Sequence, residues 1–308
     1  MKIDLEIQIG RLKLKNPVLV ASGTFGHARE FEKFFDLKKL GGIVTKTITL
    51  KPRLGNPPPR IVETPSGMLN AIGLQNPGVE KFIEEKLPYL KKLKIPILVN
   101  VMGYSVDEFV QVIRVLENEK GIDGYELNLS CPNVPYGSSG AVRMFAHDEN
   151  LIHEVVQGVR KATDKTLIAK LGPDVSDIAR MALAAERAGA DAVSLVNTFV
   201  AMVIDVKTRR PVLANKTGGL SGPCIRPIAV RMTWEVYKKL KVPIIGIGGI
   251  MNASDALEFL IAGASAIQVG TANFLNPRAC PEILEDLKRF MLKEKIRSLT
   301  EIIGSIKG

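Results

Sequence analysis

The chain has 308 residues, of which 46% are hydrophobic and 24% charged, enough to bury a sizeable core and unlike a disordered or fibrous sequence. No apolar run approaches the roughly eighteen residues of a membrane helix, and the start alternates like a strand rather than running from charge into an apolar leader, so a cytoplasmic protein is expected. Much of the excess behind the net charge of +10 lies in helix-like stretches such as Lys91, Lys92, Lys94 and Lys288, Arg289, Lys293, mixed with acids, which reads as a solvated face and not a nucleic-acid groove.

In chain order, Ile3, Leu5, Ile7 and Ile9 followed by Leu12 and Leu14 alternate around Gly10-Arg11 and predict a β-hairpin. Short β-branched runs then recur at 18–21, 42–46, 97–101, 124–129, 167–171, 192–196, 244–247 and 266–269. Most are followed by a segment of helical period: 78–93, 105–116, 148–162, 176–188, 227–240, 253–262 and 281–292. Strands alternating with helices in this number predict an α/β fold, a closed (β/α)8 barrel whose bottom the N-terminal hairpin closes. No Pro/Gly/Ser linker divides residues 1–308, so one domain is expected. The connections 47–77, 130–148 and 197–223 are too long for turns and follow strands, which puts long loops over the C-terminal face where such barrels keep their chemistry.

Several residue types gather at these strand ends. Ile247-Gly248-Gly249-Ile250 and Gly270-Thr271-Ala272, with Gly222, suit a phosphate, because glycine lets backbone N–H groups approach its oxygens. Lys46 and Lys170 end barrel strands, and a lysine there needs a partner or an anionic ligand. Asn70, Asn100, Asn128, Asn133 and Asn197 offer paired donors and acceptors that match a ring of alternating N–H and C=O groups, such as a pyrimidine or the uracil-like edge of a flavin. Cys131, inside Asn128-Leu129-Ser130-Cys131-Pro132-Asn133, sits where a thiolate base belongs. Cys224 and Cys280 read as structural. The three cysteines are too far apart for a disulfide framework, a zinc site or an iron–sulfur cluster, and His27, His147 and His153 have no metal-ligand spacing.

Together with Thr45-Lys46-Thr47, the run from Asn70 to Gly78, Asn197-Thr198 and the run from Asn215 to Gly222, these motifs resemble the class 1 dihydroorotate dehydrogenases. Gly55-Asn56-Pro57-Pro58-Pro59-Arg60 with Glu63-Thr64 is most similar to the class 1B catalytic subunit. The resemblance implies one FMN per chain, contacted by Ala21, Ser22, Lys46, Thr47, Asn100, Asn128, Lys170 and Val196, with its phosphate at Gly222, Gly248, Gly249, Gly270 and Thr271. It implies dihydroorotate binding by Lys46, Asn70, Ala71, Ile72, Gly73, Leu74, Asn128, Asn133, Asn197 and Thr198, with Cys131 as the base. It further implies a homodimer joined to a subunit carrying FAD and a 2Fe-2S cluster, a heterotetramer that delivers electrons to NAD; a class 1A enzyme would use fumarate with no such partner. The 134–145 loop is not spelled like the family's usual lid. A tRNA dihydrouridine synthase is the rival among FMN barrels, but it would need an RNA surface and normally a C-terminal helical domain. No nucleic-acid or membrane partner is expected.

Overall fold

The apolar runs become strands that are buried on both faces, as a parallel sheet covered by helices requires. In a computed structural model, which describes residues 3–130 and 145–307, eight strands form one closed parallel barrel: Val18–Val20, Gly42–Val44, Ile97–Val101, Gly124–Asn128, Thr166–Leu171, Ala192–Leu195, Ile244–Ile247 and Ala266–Val269. They are hydrogen-bonded in chain order, and the pairing of Val20 with Val269 closes the ring. All positions of the third and fifth strands are buried. This is the (β/α)8 architecture that the strand–helix alternation predicts.

The surrounding helices bury one stripe each. In Val106–Glu117 the buried residues are Phe109, Val112, Ile113 and Leu116, the spacing that a period of 3.6 puts on one face. Ser105 caps that helix by accepting from the Glu108 N–H at 3.2 Å, and Asp148 caps Glu149–Arg160 by accepting from the Asn150 N–H at 2.9 Å. The helix expected over 78–93 is interrupted: Phe82–Lys86 winds as a π-helix before Leu87–Lys92. Pro88 has no N–H to give the preceding turn and its ring crowds that turn, so the winding widens ahead of it.

The N-terminal hairpin pairs Ile7–Ile9 with Leu12–Leu14. Its Arg11 N–H donates to Thr166 Oγ1 at 3.0 Å, and a Cβ on Gly10 would stand 2.6 Å from the Cβ of Asp191. Thr166 and Asp191 mark the starts of the fifth and sixth barrel strands, so the hairpin seals the floor.

At the other end, two of the three long connections fold onto each other. Ile61–Thr64 and Gly67–Asn70 from the first, and Phe199–Ala201 and Gly218–Ser221 from the third, make a four-stranded antiparallel sheet. Of the second connection, residues 131–144 lie outside the described residues. Among the described residues no helix is long and apolar enough to cross a membrane.

Candidate active site

A cavity of about 520 Å³ opens between the C-terminal ends of the barrel strands and the four-stranded sheet. That volume lies within the range of small-molecule and cofactor sites. Its wall brings together Ala21 and Ser22 from the end of the first strand, Lys46 and Thr47 from the second, Asn128 from the fourth, Lys170 from the fifth, and Val196, Asn197 and Thr198 from the sixth. Asn70, Ile72, Gly73 and Leu74 contribute from the sheet side, and Gly222, Gly248, Gly249, Gly270 and Thr271 from the last two strand ends and the loop before them.

The amides interlock across alternate strands of the barrel. Asn197 Nδ2 donates to Asn128 Oδ1 at 3.2 Å and to the Ser130 carbonyl at 3.0 Å, while Asn128 Nδ2 donates to Thr47 Oγ1 at 3.4 Å. Asn70 Nδ2 donates to the Gly219 carbonyl at 3.4 Å, which ties the sheet to the cavity wall. Gly73 and Leu74 both have left-handed backbones, with φ of 72° and 56°, so the chain turns sharply where it meets the cavity.

The glycine-rich side is built for close approach. Gly222, Gly248 and Gly249 have φ of 106°, 133° and 72°, and a Cβ on Gly249 would come within 2.6 Å of the Gly222 carbonyl oxygen. Thr271 Oγ1 donates to Ser221 Oγ at 2.9 Å, joining this side to the sheet.

Two expected residues lie off the cavity wall. Ala71 is fully buried in a small cluster with Leu69 and Leu213; its N–H donates to the Arg60 carbonyl at 2.8 Å and its carbonyl accepts from Asn56 Nδ2 at 3.0 Å. Asn100 is fully buried one layer deeper in the barrel, with its Oδ1 unpartnered among the described residues. Cys131, Asn133 and residues 134–144 lie outside the described residues.

Sequence reasoning missed Glu126. It is fully buried in the fourth strand and receives hydrogen bonds from Asn100 Nδ2 at 2.6 Å, Ser194 Oγ at 2.9 Å and Gln268 Nε2 at 2.5 Å, with Lys170 Nζ at 3.6 Å. The available signal was a carboxylate inside Gly124-Tyr125-Glu126-Leu127-Asn128, a run otherwise fit for a barrel interior. The other cysteines divide. Cys280 is buried, its Sγ 3.4 Å from Asn273 Oδ1, and burial pushes its thiol up, away from reactivity; Cys224 is exposed, unlike the buried thiol that its structural reading suggests. No group of three or more His, Cys, Asp or Glu residues among those described could hold a metal ion.

His27 packs against Phe82, with ring centroids 5.5 Å apart. Burial, with the charges of Lys86 and Lys46, lowers its pKa from 6.5 to about 4, and its Nδ1 is buried with no partner among the described residues.

Comparison with known proteins agrees over the whole chain. The family model for dihydroorotate dehydrogenase matches residues 4–291. A protein of Thermodesulfovibrio yellowstonii named dihydroorotate dehydrogenase B (NAD(+)), catalytic subunit, is 54% identical over 303 residues, covering 98% of this chain and 99% of its own length. Proteins of the same name from Trichlorobacter lovleyi and Caldicellulosiruptor bescii are 52% identical over 308 residues, covering all of both chains, and 49% identical over 304 residues, covering 99% of each. With its barrel and its strand-end motifs in the places described, the chain belongs to the dihydroorotate dehydrogenase family.

Proposed function

We propose that this chain is the FMN-carrying catalytic subunit of a class 1B dihydroorotate dehydrogenase. It oxidises (S)-dihydroorotate to orotate in de novo UMP synthesis and passes the electrons to NAD+ through a second subunit bearing FAD and a 2Fe-2S cluster. The observation that carries the reading is the convergence of two lysines, three amides and a glycine cradle on one cavity, in a chain alignable end to end with proteins named as catalytic subunits.

The residues present fit FMN. A Cβ on Gly249 would fill the cradle from which backbone N–H groups can meet a phosphate. The buried Asn100 Oδ1, unpartnered among the described residues, is an acceptor ready for a donor. In this reading Gly222, Gly248, Gly249, Gly270 and Thr271 hold the phosphate, and Ala21, Ser22, Thr47, Asn100, Lys170 and Val196 hold the rest of the cofactor. When bound, FMN supplies the acceptor for the hydride that leaves the substrate ring.

The chain's own residues supply orientation and proton transfer. Lys46, Asn70, Asn128, Asn133, Asn197 and Thr198, with the Ala71–Leu74 backbone, grip the carboxylate and ring amides of dihydroorotate, which fixes the reacting carbons. The Cys131 thiolate takes the proton from the carbon beside the C4 carbonyl. Lys46 and Lys170 place positive charge where negative charge develops. The working assembly is a heterotetramer built on a homodimer of this chain.

The test is anaerobic addition of dihydroorotate to the purified flavoprotein, followed in visible absorbance. The expected result is bleaching that neither fumarate nor NAD+ reverses efficiently until the second subunit is added. Rapid reoxidation by fumarate alone would assign class 1A instead, and a flavin that does not bleach would overturn the substrate.

A further inference from the structure

The mechanism just described makes no use of the carboxylate beneath the cavity. The interior of a (β/α)8 barrel is ordinarily filled by branched apolar side chains, yet here Glu126 projects from the fourth strand among polar groups from four others. Asn100 comes from the third, Lys170 from the fifth, Ser194 from the sixth and Gln268 from the eighth.

The chemistry of these partners is asymmetric. An ionised carboxylate only accepts hydrogen bonds, whereas a side-chain amide can turn either its NH2 or its oxygen toward a neighbour. Glu126 therefore fixes both amides NH2-inward, with Asn100 Nδ2 at 2.6 Å and Gln268 Nε2 at 2.5 Å. The same turn leaves Asn100 Oδ1 and Gln268 Oε1 as buried acceptors with no partner among the described residues. Buried acceptors of that kind call for a donor.

Glu126 also acts on charge. The Lys170 side chain is 6% exposed; its Nζ lies 3.6 Å from Glu126 Oε1 and 3.5 Å from Ser22 Oγ. Lys170 reaches the cavity wall, while Glu126, two residues below the Asn128 that pairs with Lys170, does not. The cavity thus faces the upper end of an ion pair instead of a lone cation.

We infer that Glu126 is a positioning residue of the cofactor site. It orients Asn100 so that its oxygen is offered as an acceptor, and it offsets the charge of Lys170, so that the pair sets the reduction potential of the bound flavin. The inference rests on the reading that the cavity holds FMN. The reduced flavin carries more negative charge than the oxidised one, so an uncompensated lysine favours reduction and an ion pair favours it less.

The experiment measures the midpoint potential of the bound flavin, and the dissociation constant of the apoprotein for FMN, in wild type, Glu126→Gln, Glu126→Asp and Lys170→Met. Glu126→Gln is expected to shift the midpoint to more positive values, Glu126→Asp to return it toward wild type because the charge is restored, and Lys170→Met to shift it to more negative values. Several-fold weaker FMN binding is expected in Glu126→Gln. A Glu126→Gln protein with wild-type midpoint and wild-type affinity overturns the inference. If that variant does not fold, the double variant Glu126→Gln/Lys170→Met decides: recovery of folded protein identifies the uncompensated lysine as the cause, and equal failure overturns the pairing. A wild-type protein that takes up no FMN would fail the functional reading instead, and the double-variant comparison would still test the pairing.

Discussion

At the scale of single residues, the site separates groups that carry charge from groups that only orient. Cys131 is the proposed base and Lys46 and Lys170 are the cations, while Asn128 and Asn197 fix one another across the fourth and sixth strand ends. Replacing Cys131 with Ala is expected to leave flavin bound and to slow its reduction by dihydroorotate by about a hundredfold or more, the usual worth of a positioned base, in stopped-flow absorbance. Unchanged reduction would remove Cys131 from that role. His27 makes a separate prediction about pH. Its pKa is about 4 in the folded chain against 6.5 ordinarily, so between those values the unfolded state binds more protons and stability falls as pH drops. The group accounts for a loss of up to about 3 kcal/mol from above pH 6.5 to below pH 4. Urea unfolding at pH 7 and pH 4 should show a smaller loss for His27→Gln than for wild type.

Among elements, the sheet over the barrel mouth carries Asn70 and abuts Thr198, two of the residues proposed to bind substrate. A Cβ on Gly219 would collide with the Thr198 side chain, and one on Gly218 would come within 2.8 Å of the Asn70 carbonyl oxygen. Both neighbours are among the residues expected to bind dihydroorotate. Gly219→Ala is therefore expected to raise KM for dihydroorotate about tenfold or more while flavin content and the unfolding midpoint stay close to wild type, since the barrel strands are untouched. An unchanged KM would show that the sheet yields without disturbing Thr198. This sheet is also where the sequence was least legible. The barrel strands are β-branched and buried on both faces, so their runs stand out: those at 244–247 and 266–269 coincide with the observed strands. Gly67-Met68-Leu69-Asn70 and Gly218-Gly219-Leu220-Ser221 instead combine glycine with no alternation, and their pairing partners lie about 150 residues apart, as with Asn70 and Gly219. Glu126 escaped for the opposite reason, since one carboxylate in an apolar strand gives no sign of the four strands that converge on it. The cavity residues were legible because strand ends in this architecture share one face.

For the molecule as a whole, the +10 charge raises the question of an RNA partner. The basic residues of the last helix, Ala279–Lys293, are interleaved with acids: Lys288 pairs with Glu285 at 2.9 Å and Arg289 pairs with Asp286. Lys91 pairs with Glu119 at 3.2 Å on another exposed face. Paired charges of this kind form no continuous track along which phosphates displace counterions. Filter binding with tRNA is accordingly expected to give only weak retention without the steep salt dependence of a nucleic-acid groove; tight, salt-steep binding would reopen the dihydrouridine synthase reading.

The hairpin packed beneath the barrel has a kinetic meaning as well as a structural one. With Gly10 pressed against Asp191 and Ile9 and Leu14 fully buried, the described residues put a stopper in the base of the vessel. In the proposed reading, dihydroorotate enters and orotate leaves by the one rim, so each product molecule must vacate the doorway before the next substrate arrives, while the electrons depart through the partner subunit without needing that opening.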